Sequence, residues 1–349
     1  MRGIFTADWH IGPYRNGPEY KGVNERYMDI MARITELLHH VEVSGVKHLF
    51  FLGDLFRNRH PDNVYLAAAA RVLKRLSELK VHSIFMVGNH DQARFRGQQH
   101  ALSMYMPIAP NYITIVDTPC IKVIEDIQFF IYPYLASPQD AQLKAFLKGA
   151  NEKNVLLMHG TVEGSQMFDS DEIEISDKDT ISADTVRPLG AVFAGHIHKP
   201  QHFRNVWYPG ALERLTFNDE PDERGFLDIT IEDGKVTPTW IPVQARRMMT
   251  LHIGHIPAVE RGELDVKGAI VRVRGADATE VIATREVLTR RGCFFIASIQ
   301  TIGTTVTDVP KTGLSVTELV TRYAKKVKYE GNVESASKII TDTLNSVTE

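Results

Sequence analysis

Thiol is nearly absent from this chain: its 349 residues include only two cysteines, Cys120 and Cys293. That excludes a disulfide framework and any metal site built on thiolates. Long apolar runs are missing too, and none approaches the roughly 20 residues a membrane span requires. The opening MRGIFTADWH reads directly as a buried strand, without the charged, apolar, small-residue order of an export leader. These absences predict a cytoplasmic protein with no membrane contact. A strong basic excess, the usual footprint of a nucleic-acid binder, is also lacking, since the formal net charge is −3. The charge is nonetheless uneven. From Arg246 onward 15 Lys+Arg face 12 Asp+Glu, which leaves the first 245 residues at −6.

What is present is an alternation of short apolar runs with helical stretches. Gly3–Trp9 predicts a strand, Asn24–Val43 a helix, His48–Leu52 a strand, Val64–Leu79 a helix and Ser83–Val87 a strand. Strands separated by helices of this length imply βαβ units and a largely parallel sheet. From Tyr112 strand signals dominate, at Ile113–Val116, Ile121–Ile124, Gln128–Tyr132, Val155–Met158 and Val192–Ala194, and a β-rich segment closes near Trp240. The expected class is α/β, with two packed sheets and helices outside.

Composition shifts near Gln244–Arg247, after which Ala269–Arg274, Ala278–Arg290 and Cys293–Gln300 read as strand, helix and strand, a small βαβ module. Gly303–Gly313 reads as a Thr/Gly/Pro linker. Two tail helices follow. The first opens on the capping box Ser315–Glu318 and carries Leu319, Val320 and Tyr323, and the second carries Ile339 and Ile340. The predicted domains are therefore 1–245, 246–305 and 306–349.

Polar residues gather where the strands open into loops. Asp8 and His10 follow the first strand, and Asp54 follows Leu49–Gly53. Asn89, His90 and Asp91 follow Ile84–Gly88; His159 ends Val155–Met158; His196 and His198 end Val192–Gly195. This is the edge at which α/β folds build ligand sites. Oxygen and imidazole without thiolate suit Mn²⁺, Fe or Zn²⁺ better than Ca²⁺ or a structural zinc. Two Asp, one Asn and four His exceed the needs of one ion and fit two ions that share a carboxylate. Each cluster alone has a bland reading as a turn or surface loop. Five arriving in order, each after an apolar run, do not. His39, His40, His82, His100, His252 and His255 lack such a setting and read as ordinary.

Asp8-x-His10, Gly53-Asp54, Gly88-Asn89-His90-Asp91, His159-Gly160 and Gly195-His196-x-His198 resemble the motif series of calcineurin-like metallophosphoesterases. Gly53-Asp54-Leu55-Phe56 and Tyr208–Arg214 resemble, more narrowly, the SbcD-type nuclease subunits. The resemblance implies a four-layer αββα sandwich, a βαβ capping domain that grips duplex DNA and a C-terminal helical hairpin. It makes Asp54 a bridging ligand, with Asp8, His10 and His198 on one ion and Asn89, His159 and His196 on the other. His90 faces the phosphate as a catalytic group, and Asp91 orients its ring. The ions implied are two divalent cations, Mn²⁺ first and Mg²⁺ as the alternative. Also implied are exonuclease action 3′ to 5′ on duplex DNA, endonuclease action on single strands, a homodimer within a hetero-tetramer and an SbcC-type ATPase partner docked on the tail helices. Arg57 departs from the pattern, which usually has His three residues after the bridging Asp. Either His60 takes that place or Arg57 binds phosphate.

Arg57, Arg59, Arg94, Arg96 and Lys199 lie near the site segments, and Arg272 and Arg274 lie in the βαβ module, as candidate DNA contacts. The same metal chemistry would serve a phosphatase or a cyclic-nucleotide phosphodiesterase, but neither needs the stretch after Ala245. A catalytically weak scaffold that binds DNA ends is the remaining alternative.

Overall fold

The computed structural model describes residues 1–14, 19–20, 23–93, 99–135, 139–166, 180–275 and 278–297, all within one compact unit, Met1–Gln300. The strands are β1 (Arg2–Thr6), β2 (His48–Phe51), β3 (His82–Met86), β4 (Ile113–Val116), β5 (Cys120–Ile124) and β6 (Ile127–Tyr132). They continue with β7 (Val155–His159), β8 (Ala191–Gly195), β9 (Gln201–Phe203), β10 (Val206–Tyr208), β11 (Gly225–Glu232) and β12 (Lys235–Pro242). The main helices are α1 (Glu25–Ser44), α2 (Asn63–Glu78), α3 (Gln139–Phe146) and α4 (Ala183–Val186).

Two six-stranded sheets form, in the orders β12-β11-β1-β2-β3-β4 and β9-β10-β8-β7-β6-β5. Within each, the four-strand parallel run has antiparallel additions only at its margins. Period-two alternation explains the layering. Phe5, Phe50, Ile84, Phe129, Leu157 and Phe193 point between the sheets into one core. Their neighbours Ile4, Leu49, Phe51 and Phe85 face α1 and α2, packing on Ile30, Ile34, Leu37 and Val72. Phe130, Leu156, Met158 and Val192 face the other side, toward Leu143 and Val186 of α3 and α4. Both faces of each central strand are covered, so these strands read as unbroken apolar runs. The result is the expected four-layer αββα sandwich.

Asn24 caps α1 through its side chain, which accepts from Arg26 N at 2.8 Å, and Gly45 ends the helix at φ 64°.

After Val243 comes a second, smaller core. Strands β13 (Met248–His252), β14 (Ile270–Arg274) and β15 (Phe294–Ala297) make a parallel three-stranded sheet in that order. Helices α5 (Ile256–Arg261) and α6 (Ala278–Arg290) supply the crossovers. Val259, Val271, Val273 and Leu288 fill it. The module is thus βαβαβ, one strand and one helix larger than the sequence reading. Several interactions tie its start to the sandwich, among them Arg246, which pairs with Asp29 at 2.7 Å, and Glu220, which accepts from Thr250 N and Oγ1 at 2.7 Å each. The linker and tail helices read from the sequence, with Leu319, Val320, Tyr323, Ile339 and Ile340, lie outside the described residues. No helix among the described residues is long and apolar enough to cross a membrane.

Candidate metal centre

Adjacent strands β1, β2 and β3 of one sheet and β7 and β8 of the other end at the same edge of the sandwich. The loops that leave them turn at once, and the backbone there is strained. Asp8, His10, Asp54 and His196 all have positive φ, at 53°, 46°, 60° and 93°, a region that non-glycine residues seldom occupy. Two glycines make room for the convergence. A Cβ on Gly53, itself at φ 102°, would lie 2.3 Å from His159 Nδ1; one on Gly88 would lie 2.2 Å from Asp54 Oδ1.

The side chains meet in three overlapping groups, of which two hold the ligands named from the sequence and the third joins His10 and Asp54 to His90. In the first, Asp8, His10 and His198 bring donor atoms within 4.8 Å of one another, and the two imidazole Nε2 atoms are 3.1 Å apart. In the second, Asp54, His159 and His196 do the same. Asn89 Oδ1 lies 2.8 Å from His159 Nε2 and 2.9 Å from His196 Nδ1, which places it in this second group. Asp54 stands between them, with Oδ2 3.7 Å from His10 Nε2 and Oδ1 3.5 Å from His159 Nε2. His159 Nδ1 donates to the Leu52 carbonyl at 2.7 Å, which leaves its Nε2 to face inward. All seven residues named as ligands from the sequence are therefore together.

Charge shows what the site is suited to hold. Burial pushes the Asp8 carboxyl up to about 8, with the Asp54 charge adding and His159 opposing. Burial pushes His10 well below the usual histidine range, and takes His196 down to about 3. His198 is also lowered by burial. Burial would lower His159 as well, but Asp54 outweighs it and lifts the ring to about 9. Burial would raise Asp54, yet His159 and His10 hold it below the usual carboxylate range. Carboxylates and imidazoles of opposed tendency thus share one buried to half-buried volume, with Asp54 favouring the charged form of His159. Divalent cations fit this donor set: they would neutralise the carboxylates and use lone pairs that now face one another.

The sequence pattern of the calcineurin-like phosphoesterase family matches residues 1–200, which contain every one of these donors. The chain belongs to that family. It is also similar to the SbcD subunit of the SbcCD nuclease of Staphylococcus epidermidis, at 23% identity over 295 residues, covering 76% of each chain. Among solved structures, a dimetal phosphatase from Danio rerio aligns at TM-score 0.41 and 13% identity, over 69% of this chain and 95% of its own. A Thermus thermophilus protein aligns at 0.41 and 12%, over 68% and 98%.

Within this calcineurin-like phosphoesterase, His90 lies at the exposed rim, its ring 4.8 Å from that of His10. Its Nδ1 donates to the Arg57 carbonyl at 2.9 Å. Asp91 does not orient that ring, as the sequence reading expected. It is fully buried, and its carboxylate accepts from the amides of Gly88 at 3.0 Å, Phe56 at 2.9 Å and Leu55 at 3.2 Å. Burial pushes its carboxyl up to about 7. The physical reason is that the turn at Gly88 and the loop after Asp54 together leave three amides without strand partners, and a buried carboxylate satisfies them before it can reach the rim.

Arg57 is half-buried, with its guanidinium 4.1 Å from the Tyr14 ring centroid. Arg59 and His60 are exposed, and Lys199 Nζ reaches Gln166 at 3.4 Å. Arg94 and Arg96 lie outside the described residues. Arg274 is exposed, but Arg272 stacks on Phe217 at 4.3 Å and donates to Thr250 Oγ1 at 2.9 Å. That guanidinium is engaged at the join between module and sandwich.

Two supports of the site lie outside the ligand motifs. The Tyr14 hydroxyl donates to the His10 carbonyl at 3.1 Å, and Tyr208 bridges Gly160 O and Val162 N at 3.0 and 2.9 Å. Tyr208 opens the Tyr208–Arg214 stretch already singled out by resemblance. Tyr14 carried no signal at all.

Proposed function

We propose that this chain is a two-metal DNA phosphodiesterase, the nuclease subunit of an SbcCD-type repair and recombination complex. The observation that carries the metal chemistry is the position of Asp54 between two groups of buried donors. Asp8, His10 and His198 would hold one divalent cation and Asn89, His159 and His196 the other, with Asp54 available to both. When bound, a pair of Mn²⁺ ions supplies positive charge against a phosphodiester and acidifies water near neutral pH. His90, fixed by its Nδ1–H bond to Arg57 O, has Nε2 left, when the ring is protonated, to donate a hydrogen bond to the phosphate or to the leaving oxygen. Arg57 is placed by Tyr14 to meet a neighbouring phosphate.

DNA is chosen over a small phosphoester because of the chain after Ala245. The similar Staphylococcus epidermidis protein is a nuclease subunit, and the βαβαβ module adds a separate core joined to the sandwich through Glu220 and Thr250. In this reading residues 1–245 form the nuclease domain, 246–305 cap the duplex, and 306–349 dock an SbcC-type ATPase, as a homodimer within a hetero-tetramer. Arg59, Lys199 and Arg274 are the outer phosphate contacts. The activities are a Mn²⁺-dependent 3′-to-5′ exonuclease on duplex DNA and an endonuclease on single strands.

The test is hydrolysis of end-labelled linear duplex by the full chain with Mn²⁺ or Mg²⁺, beside Asp54→Asn. Mn²⁺-dependent shortening that disappears in the variant is the expected result. Cleavage of a nitrophenyl phosphodiester but never of DNA, even with the ATPase added, would overturn the DNA assignment.

A further inference from the structure

Arg224 belongs to none of the sequence motifs, yet its side chain is fully buried, 1% exposed, and faces a candidate metal ligand. Nη1 donates to the backbone carbonyl of His198. Nη2 lies 3.1 Å from Asp219 Oδ1 and 3.2 Å from both Asp219 O and Asp222 Oδ2. Asp219 is itself buried, and its Oδ2 accepts from Leu215 N at 2.9 Å and Thr216 N at 2.8 Å. The His198 carbonyl already accepts from Ala211 N at 3.1 Å, so hydrogen-bond satisfaction alone does not require a second donor. A charged one, anchored by two carboxylates, fixes the direction of that carbonyl and with it the backbone from which the His198 ring projects. Burying a guanidinium is costly unless its partners are well placed, and here both terminal nitrogens are met by His198, Asp219 and Asp222, while the buried Nε has no hydrogen-bond partner.

We propose that Arg224, anchored by Asp219, is a positioning residue that sets His198 for the ion it shares with Asp8 and His10. This rests on the two-ion reading above. The other ion has no ligand in this network, so the effect is selective for one of the two.

The experiment is calorimetric titration of Mn²⁺ into the full chain, with electron paramagnetic resonance of the bound ions and a melting curve for each variant. Arg224→Lys keeps the charge against Asp219 but replaces a planar fork with a single ammonium. One of the two binding events should weaken by roughly 10- to 100-fold. The other should hold, and the signal of a coupled Mn²⁺ pair should give way to that of isolated ions. Asp219→Asn leaves the guanidinium in place and loosens its anchor, so it gives the same selective loss at smaller amplitude and serves if the lysine variant does not fold. Two events of unchanged affinity in both variants overturn the proposal. So does equal weakening of both ions in step with a lower melting temperature, which would make Arg224 a general stabiliser. Asp54→Asn is the control on the underlying reading: if it still binds two Mn²⁺ normally, Asp54 is not shared by the two ions and the proposed ligand set is wrong.

Discussion

The two ends of the sandwich break the same backbone rule for different reasons. At one end, Asp8, His10, Asp54 and His196 take positive φ where strands open into the site. At the other, Glu125 and Asp126 (46° and 66°) turn β5 into β6, and Asp233 and Gly234 (50° and 77°) turn β11 into β12. Paired positive φ values make these two-residue hairpins, whose twist matches that of the strands. Their charges remain wet: the Glu125 side chain is 52% exposed while pairing with the Met1 ammonium at 3.5 Å and with His48 at 2.7 Å. An open cavity of about 670 Å³ lies there, lined in part by Glu152, Lys153 and Asp233. At the metal end Asp8, His10 and Asp54 are no more than 2% exposed. A left-handed residue is therefore no sign of function by itself. Left-handed backbone, burial and converging ring nitrogens together are.

The sharpest way to break that comparison is to change one polar group at each end. If His90 serves the phosphate as proposed, His90→Asn should lower turnover by roughly 10²- to 10⁴-fold while both ions still bind. Glu125→Gln should leave the rate unchanged. A His90→Asn protein that cleaves DNA at the parental rate would remove His90 from the chemistry.

Glycines make the next contrast. Gly88→Ala would drive a methyl into Asp54, with Oδ1 at 2.2 Å and N at 2.3 Å, so it should cost about 1–3 kcal/mol and abolish Mn²⁺ binding. Gly234→Ala meets nothing within 4 Å and is strained only by its φ of 77°, so it should cost about 1 kcal/mol and leave the ions bound. Thermal melts and Mn²⁺ titration measure both. Equal losses of metal affinity would show that the crowding at Gly88 is incidental.

The ligands were legible because each of their chemical types is rare after an apolar run and because parallel strands deliver their C-terminal ends to one edge. Neighbours were legible only where chain order placed them. Asp91 sits beside His90 in sequence, and that adjacency misled: its partners are the amides of Leu55, Phe56 and Gly88. Tyr14 and Arg224 act across loops on backbone carbonyls, and no periodicity records such a contact. In the smaller module, β13 begins Met248-Met249-Thr250, without clean alternation, and α5 has only six residues with Pro257 near its start. Both fell below what a pattern can show, whereas α6 matched over Ala278–Arg290.

Arg272 tests how charge in that module should be read. It was a DNA candidate, but its contacts are Phe217 and Thr250. Arg272→Ala should therefore destabilise the fold by about 1 kcal/mol through the lost stacking and hydrogen bonds, and barely change the salt dependence of DNA binding. Arg274→Ala should do the reverse, reducing the salt slope by about one. The opposite outcome would place Arg272 on the duplex.

The smallest expected effect concerns a carboxylate outside both ends. Asp228, midway along β11, is buried, and that burial would raise its carboxyl. Arg2 at 2.9 and 2.7 Å and His40 at 2.9 Å outweigh burial and hold it below the usual carboxylate range. A depressed folded value means that this group stabilises the protein fully above its unfolded pKa, near 3.9, and that the stabilisation is lost as pH falls through the folded value. Asp228→Asn should thus cost about 1 kcal/mol at neutral pH, and the deficit should shrink in acid below about pH 4. Urea unfolding of both proteins across that range measures it. A deficit independent of pH would mean that the side chain's packing between β1 and α1, rather than its charge, is what the fold uses. Asp228 would then differ in kind from the buried carboxylates of the metal centre, whose charge is the point of their burial.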